Sequence, residues 1–177
     1  MKSVTEPLET MLWGTIIDFE TVGEFEGKFP PHDSRHYSSL KPTIFGYITG
    51  NVIVQYCAEG YREISDLIEI ISDNVPRLKG PFYALNCHFE GGVLNNACGL
   101  ELVLFDVRGP LIGSKWAIRE MLGIPTYDDP YDGEGHRCSE GWMVGDYEKC
   151  LKHNRACLLI ERDILLNVRS MLGLNRL

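Results

Sequence analysis

Two acidic residues, Asp18 and Glu20, follow an apolar run and are separated by a single residue. In an extended strand the side chains alternate between two faces, so both carboxylates project from one side while Phe19 points into the core. Two anions this close repel each other unless a cation lies between them. Carboxylate oxygens are the donors that hard divalent ions such as Mg2+ and Mn2+ prefer. The pair therefore predicts a metal site and phosphoryl chemistry.

Three residues far along the chain could complete such a site. Glu90 begins a predicted helix directly after a strand, which places it where open α/β sheets bind their ligands. His153 and Cys157 are four residues apart in the last predicted helix and share a face. The ordinary pKa of a histidine is near neutrality, so His153 could accept a proton from an attacking water.

Two other acids of the last helix are weaker candidates. Glu161 lies on the same face as His153, but about 6 Å along the axis from Cys157. Asp163 points to roughly the opposite side. Asp106 ends a predicted strand, where a site acid and a simple strand-end cap are both consistent with the pattern.

The strands and helices that must position these residues are predicted from the spacing of apolar residues and from the glycines, prolines and capping residues between them. Strands are predicted at residues 11–19, 43–49, 52–57, 82–87 and 100–107, and Gly50-Asn51 is a two-residue hairpin signal. Helices are predicted over 61–75, 89–97, 115–122 and 146–171. Residues 24–41 and 125–145 are predicted to be loops. This order predicts an α/β fold whose mixed sheet is antiparallel in its first three strands, then parallel, and is flanked by helices.

Length and composition limit the class of protein. A chain of 177 residues suits one domain, and it has no apolar run long enough to span a membrane, so a cytoplasmic location without membrane association is expected. The six cysteines form no CxxC pair, which argues against a zinc ribbon, and the histidines lack the close paired spacing of a zinc site. A net charge of −8 disfavours extended contact with nucleic acid, although bound metals would reverse the sign locally.

The candidate residues also resemble, in order, the motifs of the DEDD exonucleases of the ribonuclease H-like superfamily. Asp18-x-Glu20 is similar to the first motif. The run Asn86-Cys87-His88-Phe89-Glu90 resembles the second motif of a compact bacterial and archaeal branch. Lys115-Trp116-Ala117-Ile118 is similar to the segment after that branch's next strand. His153-Asn154-Arg155-Ala156-Cys157 resembles the third motif, His-Asn-x-x-Asp, and the resemblance covers nearly the whole chain.

This resemblance implies one ribonuclease H-like domain over residues 1–177 and a 3′–5′ exonuclease or related nuclease. Such an enzyme hydrolyses phosphodiester bonds at single-stranded DNA or RNA ends with two Mg2+ or Mn2+ ions. It implies that the catalytic residues are Asp18, Glu20, Glu90 and His153. The same three acids and Cys157 would bind metal. The expected substrate contacts are Thr21, Asn86 and Asn154, together with Trp142, which is chosen as an aromatic residue of the predicted 125–145 loop.

Two departures from the motifs leave the activity open. Glu90 replaces an aspartate, a change of one methylene. Cys157 stands in the position of the third acid, and a thiol is a soft ligand that suits Mg2+ poorly. A degenerate module that binds nucleic-acid ends or a protein partner is therefore an alternative to the enzyme. A phosphodiesterase acting on short oligonucleotides is a third hypothesis.

Some residues have two interpretations from sequence alone. Asn86 could cap the following helix instead of touching substrate. Tyr127, Tyr131 and Trp142 could stack on exposed bases or fix their loop to the core. The acids of that loop lack the oxygen spacing of a calcium loop, which predicts a solvated turn at Asp128, Asp129, Asp132 and Glu134.

Overall fold

The computed structural model describes residues 1–174, so the last three residues of the predicted 1–177 domain lie outside it. Its sheet has four strands in the order β2-β1-β3-β4. The strands are β1 (Lys2–Val22), β2 (Lys41–Cys57), β3 (Phe82–Ala84) and β4 (Leu104–Asp106). β1 pairs with β2 antiparallel and with β3 parallel, and β3 pairs with β4 parallel. The predicted α/β fold with a mixed sheet is confirmed at this level.

The predicted hairpin at Gly50-Asn51 is wrong. Residues 43–57 belong to the single strand β2, and residues 52–57 pair with Lys2–Pro7 of β1 instead of folding back on 43–49. Gly50 has φ +57°, and the register slips on both sides of the Leu12–Gly50 pair. The positive φ of Gly50 therefore allows a bulge that bends a continuous strand. A Gly-Asn dipeptide is compatible with such a bulge as well as with a tight turn, so the sequence alone does not separate the two. The antiparallel part has two long strands where three were predicted.

Within residues 1–174, five α-helices flank or connect the strands: α1 (Ile64–Asn74), α2 (Cys87–Cys98), α3 (Lys115–Met121), α4 (Gly135–Met143) and α5 (Tyr147–Met171). The predicted end signals of two of them are confirmed, since Ser114 accepts from Ala117 N at the start of α3 and Gly99 ends α2 with φ +65°. The prediction of a loop throughout 125–145 is wrong, because α4 lies within it. The strand predicted at 100–107 is reduced to the three residues of β4.

β1 is buried on both faces over residues 14–20, whereas Met11 and Trp13 of the predicted strand 11–19 are exposed. Ile17 belongs to a core shared with Leu67 of α1 and Leu94 of α2. Ile16, on the opposite face, belongs to a second core shared with Leu158 of α5. Asp18 follows Ile16 at the strand period of two, so it faces α5. None of the helices among residues 1–174 has both the length and the apolar character needed to cross a bilayer.

Candidate functional site

The second half of β1 and the middle of α5 form one wall of a solvent-connected cleft of about 550 Å3. Asp18 and Glu20 line it from β1 and are only 7% and 8% exposed. His153, Cys157 and Glu161 line it from α5, where a spacing of four residues brings all three to one face. The apolar strand and the amphipathic helix thus bring these acidic, imidazole and thiol groups together.

Asp18 is fixed from α5 by Asn154. The Asn154 Nδ2 donates to Asp18 Oδ2 at 2.6 Å, and Gln55 Nε2 of β2 donates to Asn154 Oδ1 at 2.8 Å. Asn154 is fully buried behind the cleft and does not line it. The prediction that Asn154 contacts substrate is therefore wrong, because its amide is used to orient a carboxylate.

Glu90 reaches the same place from α2. The backbone N–H of Phe19, between the two β1 acids, donates to Glu90 Oε2 at 3.1 Å. Asn86 caps α2 by accepting from Phe89 N at 3.3 Å, which sets the first turn that carries Glu90. Asn86 and Thr21 both line the cleft, so contact with a ligand stays a prediction for each. The expected convergence of Glu90 on Asp18 and Glu20 is present.

His153 is held by a carboxylate that the sequence did not single out. Its Nδ1 lies 2.7 Å from Asp129 Oδ1, and Asp129 also accepts from Tyr131 N and Gly133 N. Both residues are buried, so the solvated turn predicted for Asp129 is wrong. The arrangement leaves His153 Nε2 facing Glu20 Oε1 at 3.6 Å and Cys157 Sγ at 3.8 Å.

A buried ion pair closes the far end of the acidic group. Glu161 accepts from Lys115 Nζ at 3.0 Å and from Leu85 N at 3.2 Å, and its carboxylate is almost fully buried. Although Glu161 lies one helical turn beyond Cys157, it still lines the cleft, because the turn after β3 reaches it through the Leu85 backbone N–H. Lys115 begins α3 within a run that resembled a family segment, but its type alone did not mark it as a site residue.

The electrostatics of the cleft favour bound positive charge. Burial, followed by the neighbouring Cys157, Glu161 and Glu20, raises the pKa of Asp18 well above its usual range. Burial and the Asp18 charge likewise raise the pKa of Glu90. Burial also raises the pKa of Glu20, although His153 opposes that change. Ionised carboxylates in this cluster therefore need a cation beside them.

The same surroundings raise the pKa values of the two cationic side chains of the cleft, Lys115 and His153. Burial lowers the pKa of Lys115, but Cys157, Glu161 and Asp18 raise it more. For His153, burial is outweighed by the hydrogen bonds to Asp129 and Cys157 and by Glu20, which raise the pKa to about 11. These neighbours therefore favour the protonated form of His153.

Two overlapping groups of side chains could hold a metal ion. Asp18, Glu20 and Cys157 offer one ligand atom each, all within 4.8 Å of one another, and so do Glu20, Cys138 and His153. Cys138 lies on α4, in the segment that was predicted to be a loop, so nothing in the sequence linked it to the site. Among residues 1–174, Glu90 belongs to neither group, and its role as a ligand stays a prediction.

The aromatic residues of the cleft are not the predicted ones. Trp142 is 2% exposed, donates through Nε1 to Ala58 O at 2.5 Å and lies outside the cleft, so its predicted substrate contact is wrong. Tyr131 and Trp142 both belong to the hydrophobic core that contains Ile17. Phe25 and Phe89 line the cleft instead, and Phe25 is 55% exposed.

The other acids considered in the sequence analysis lie outside the cleft. Asp106 forms an ion pair with Arg108 at 2.5 Å and caps its strand. Asp163 accepts from Tyr127, which fixes the 125–145 segment to α5. Asp128, Asp132 and Glu134 are exposed, as the prediction of a solvated turn requires.

No family model matches this chain, and neither a curated protein nor a solved structure matches it. The resemblance to the DEDD exonucleases, carried by short motifs, therefore stays a prediction. What the chain does is inferred from the geometry and charge of the cleft.

Proposed function

We propose that this chain is a metal-dependent nuclease with a ribonuclease H-like fold, acting on the 3′ ends of single-stranded DNA or RNA. The observation that carries the proposal is the meeting of Asp18 and Glu20 with Glu90 and His153 in one open cleft. These residues come from three elements that are distant in sequence. The sheet, in which an antiparallel pair is followed by parallel strands, is consistent with the proposed ribonuclease H-like fold.

The donor set of the cleft suits divalent ions. Asp18 and Glu20 would hold Mg2+ or Mn2+ through carboxylate oxygens, with Glu90 beside them. Two such ions would supply charge stabilisation to the attacking and leaving oxygens of a phosphodiester. Asn154 fixes Asp18, and Asp129 directs His153 Nε2 toward Glu20. A cation bound beside Glu20 would oppose the protonated form of His153, and the freed Nε2 lone pair could then accept a proton from water, as the predicted general base requires.

The rest of the cleft fits a short, single-stranded ligand. Phe25 and Phe89 offer aromatic surface on which unpaired bases can stack without sequence preference. With a net charge of −8, the chain does not favour contact with many phosphates. A ligand that inserts one end into the cleft fits this charge better than a long duplex does.

The test is hydrolysis of a 5′-labelled single-stranded oligonucleotide in the presence of Mn2+ or Mg2+. Wild type should shorten it from the 3′ end, and Asp18→Asn should lower the rate about a hundredfold or more because a carboxylate of the metal site is lost. Asp73→Asn, an exposed acid on α1, is the matched control and should leave the rate unchanged. Hydrolysis that survives in Asp18→Asn at the wild-type rate would refute the proposal.

A degenerate module that binds nucleic-acid ends or a protein partner is the second candidate. Two observations favour it: Cys157 stands where a third acid would give a hard ligand, and Lys115 already neutralises Glu161. Restoring the acid with Cys157→Asp separates the candidates. Hydrolysis that appears only in Cys157→Asp would identify wild type as the binding module, whereas turnover by wild type would identify it as the enzyme.

A further inference from the structure

The Nε2 atom of His153 is surrounded by three other groups that can bind metal. Glu20 Oε1 lies 3.6 Å from it and Cys157 Sγ lies 3.8 Å from it. Cys138 Sγ, from α4, forms a group with Glu20 and His153 in which all ligand atoms are within 4.8 Å. All four residues are buried, and the cleft reaches three of them.

Two of these separations, both at His153 Nε2, are close to the edges of a tetrahedral zinc site. With Zn–N and Zn–O bonds of about 2.0–2.1 Å and Zn–S bonds of about 2.3 Å, the ligand atoms of a tetrahedron are roughly 3.3–3.8 Å apart. The two separations at His153 Nε2, 3.6 Å to an oxygen and 3.8 Å to a sulfur, are each slightly longer than the matching nitrogen–oxygen and nitrogen–sulfur edges. Glu20, Cys138 and His153 already form one group from three elements. Cys157 lies outside that group, with its Sγ 3.8 Å from His153 Nε2, and a small side-chain movement would bring it in as the fourth donor.

The hydrogen bond between His153 and Asp129 is a second, independent observation. A metal-bound histidine commonly donates its other ring N–H to a carboxylate, which fixes the tautomer and directs the free lone pair at the ion. Asp129 occupies that position at 2.7 Å from Nδ1, and it is oriented by two backbone N–H groups. Among residues 1–174, the other hydrogen-bond donors to Asp129 are two backbone N–H groups of its own turn.

The chemistry of the donors selects the ion. Two thiols and an imidazole are soft or borderline ligands, which suit Zn2+ and are poorly matched to Mg2+. We propose that Cys138, His153, Cys157 and Glu20 form a zinc site whose outer partner is Asp129. Cys157 is then a ligand suited to its ion, and not a defect in a magnesium site.

The inference concerns metal binding and does not require the proposed hydrolysis. It changes one role, because the Nε2 lone pair that binds zinc cannot also accept a proton from water. Glu20 belongs to this group and also to the group with Asp18, so the zinc position adjoins the carboxylates left for a second, harder ion.

The experiment uses the full chain, freed of metal and titrated with Co2+ and then with Zn2+. Cobalt should bind at one equivalent and give a near-ultraviolet thiolate-to-cobalt charge-transfer band, which Zn2+ should abolish by displacement. Cys138→Ala and Cys157→Ala should each reduce this band by about half and weaken Zn2+ binding by more than the roughly 10–100-fold that loss of an outer partner costs. Asp129→Asn should weaken it by about 10–100-fold.

Cys57→Ala is the matched control, because Cys57 is buried but belongs to neither metal group. It should leave the band and the affinity unchanged, with circular dichroism used to verify folding of every variant. X-ray absorption of zinc-loaded wild type needs no variant and should give two sulfur neighbours at about 2.3 Å. A zinc shell of oxygen and nitrogen alone, or a band unaffected by both cysteine substitutions, would overturn the proposal.

The same samples separate this inference from the proposed nuclease. Sulfur-bound zinc in a protein that hydrolyses no oligonucleotide would leave the zinc site established and refute only the enzyme. Hydrolysis with Mn2+ in a protein without sulfur-bound zinc would do the reverse.

Discussion

At the scale of single residues, the geometry assigns different tasks to side chains of the same type. Asp18 and Glu20 face the cleft, whereas Asp129 stands behind His153 and Asp106 caps a strand. The first pair could be predicted because strand alternation is local. The position of Asp129 could not, since burial of an Asp-Pro turn depends on which helix packs over it.

The same limit applies to aromatic residues. Trp142 was a reasonable stacking platform in a loop, but it lies in α4 and packs into the core beside Tyr61. Phe25 lies in a Gly- and Pro-rich segment that carries no periodic signal, and its contacts with His36, Tyr37 and Phe89 place it at the cleft. Whether an aromatic side chain is exposed depends on tertiary packing. Residue type alone therefore predicted Trp142 at the cleft, where the structure has Phe25.

We predict that Phe25→Ala weakens binding of a single-stranded oligonucleotide by about 1–3 kcal/mol, because one stacking surface is lost. Fluorescence anisotropy with a labelled oligonucleotide measures the change. Phe25→Trp should keep the affinity. Phe105→Ala is the control, since Phe105 is 52% exposed, similar to Phe25, but lies on β4 outside the cleft. Equal losses in the two alanine variants would contradict a specific role for Phe25.

At the scale of elements, the site depends on close packing between β2 and α5. Gly46 pairs with Asp18 across the sheet, and a Cβ at Gly46 would lie 2.1 Å from Asn154 Oδ1 and 2.8 Å from Leu158 Cδ1. The absence of a side chain therefore lets Asn154 reach Asp18. The helix itself was predicted almost to its ends, because its apolar spacing is long and regular.

We predict that Gly46→Ala lowers the free energy of unfolding by about 1–3 kcal/mol and weakens cation binding, since overpacking displaces Asn154 from Asp18. Urea denaturation measures the first effect and calorimetric titration with Mn2+ the second. Gly27→Ala is the control, because a Cβ there meets no heavy atom within 4 Å. Indistinguishable midpoints for the two variants would show that α5 has room to move.

Strand connectivity was the weaker part of the element prediction. Gly50-Asn51 favours a tight turn locally, but the N-terminal residues of β1 were available as a partner for residues 52–57. The charged residues of Lys2–Pro7 do not form the apolar pattern that predicts a strand. One of these charges is paired in the fold, since Arg155 of α5 donates two hydrogen bonds of 2.6 Å to the Glu6 carboxylate. Long-range pairing decided between two locally acceptable structures.

At the scale of the whole molecule, the net charge of −8 includes several carboxylates buried around one cleft. Lys115 and His153 compensate only part of that charge. A ligand that binds the folded chain and not the unfolded one stabilises it by mass action. Metal binding is therefore expected to appear as thermal stability even where no reaction occurs.

We predict that Zn2+ at about a hundred times its dissociation constant stabilises the chain by about 2.7 kcal/mol, raising Tm by roughly 5–10 °C. Differential scanning calorimetry with and without a chelator measures the shift. Cys157→Ala should show a smaller shift at the same zinc concentration, while Cys57→Ala should match wild type. A Tm that is the same with zinc and with chelator would contradict the prediction.

The short helix α4 has a consequence beyond the ligand it carries. Its inner side holds Cys138 against Glu20, while its neighbours His136, Ser139 and Glu140 form part of the rim of the cleft. Drawing Cys138 inward would shift that rim as well, because one turn of helix carries both. In the proposed zinc site, loading of the ion would in this way also change the width of the entrance.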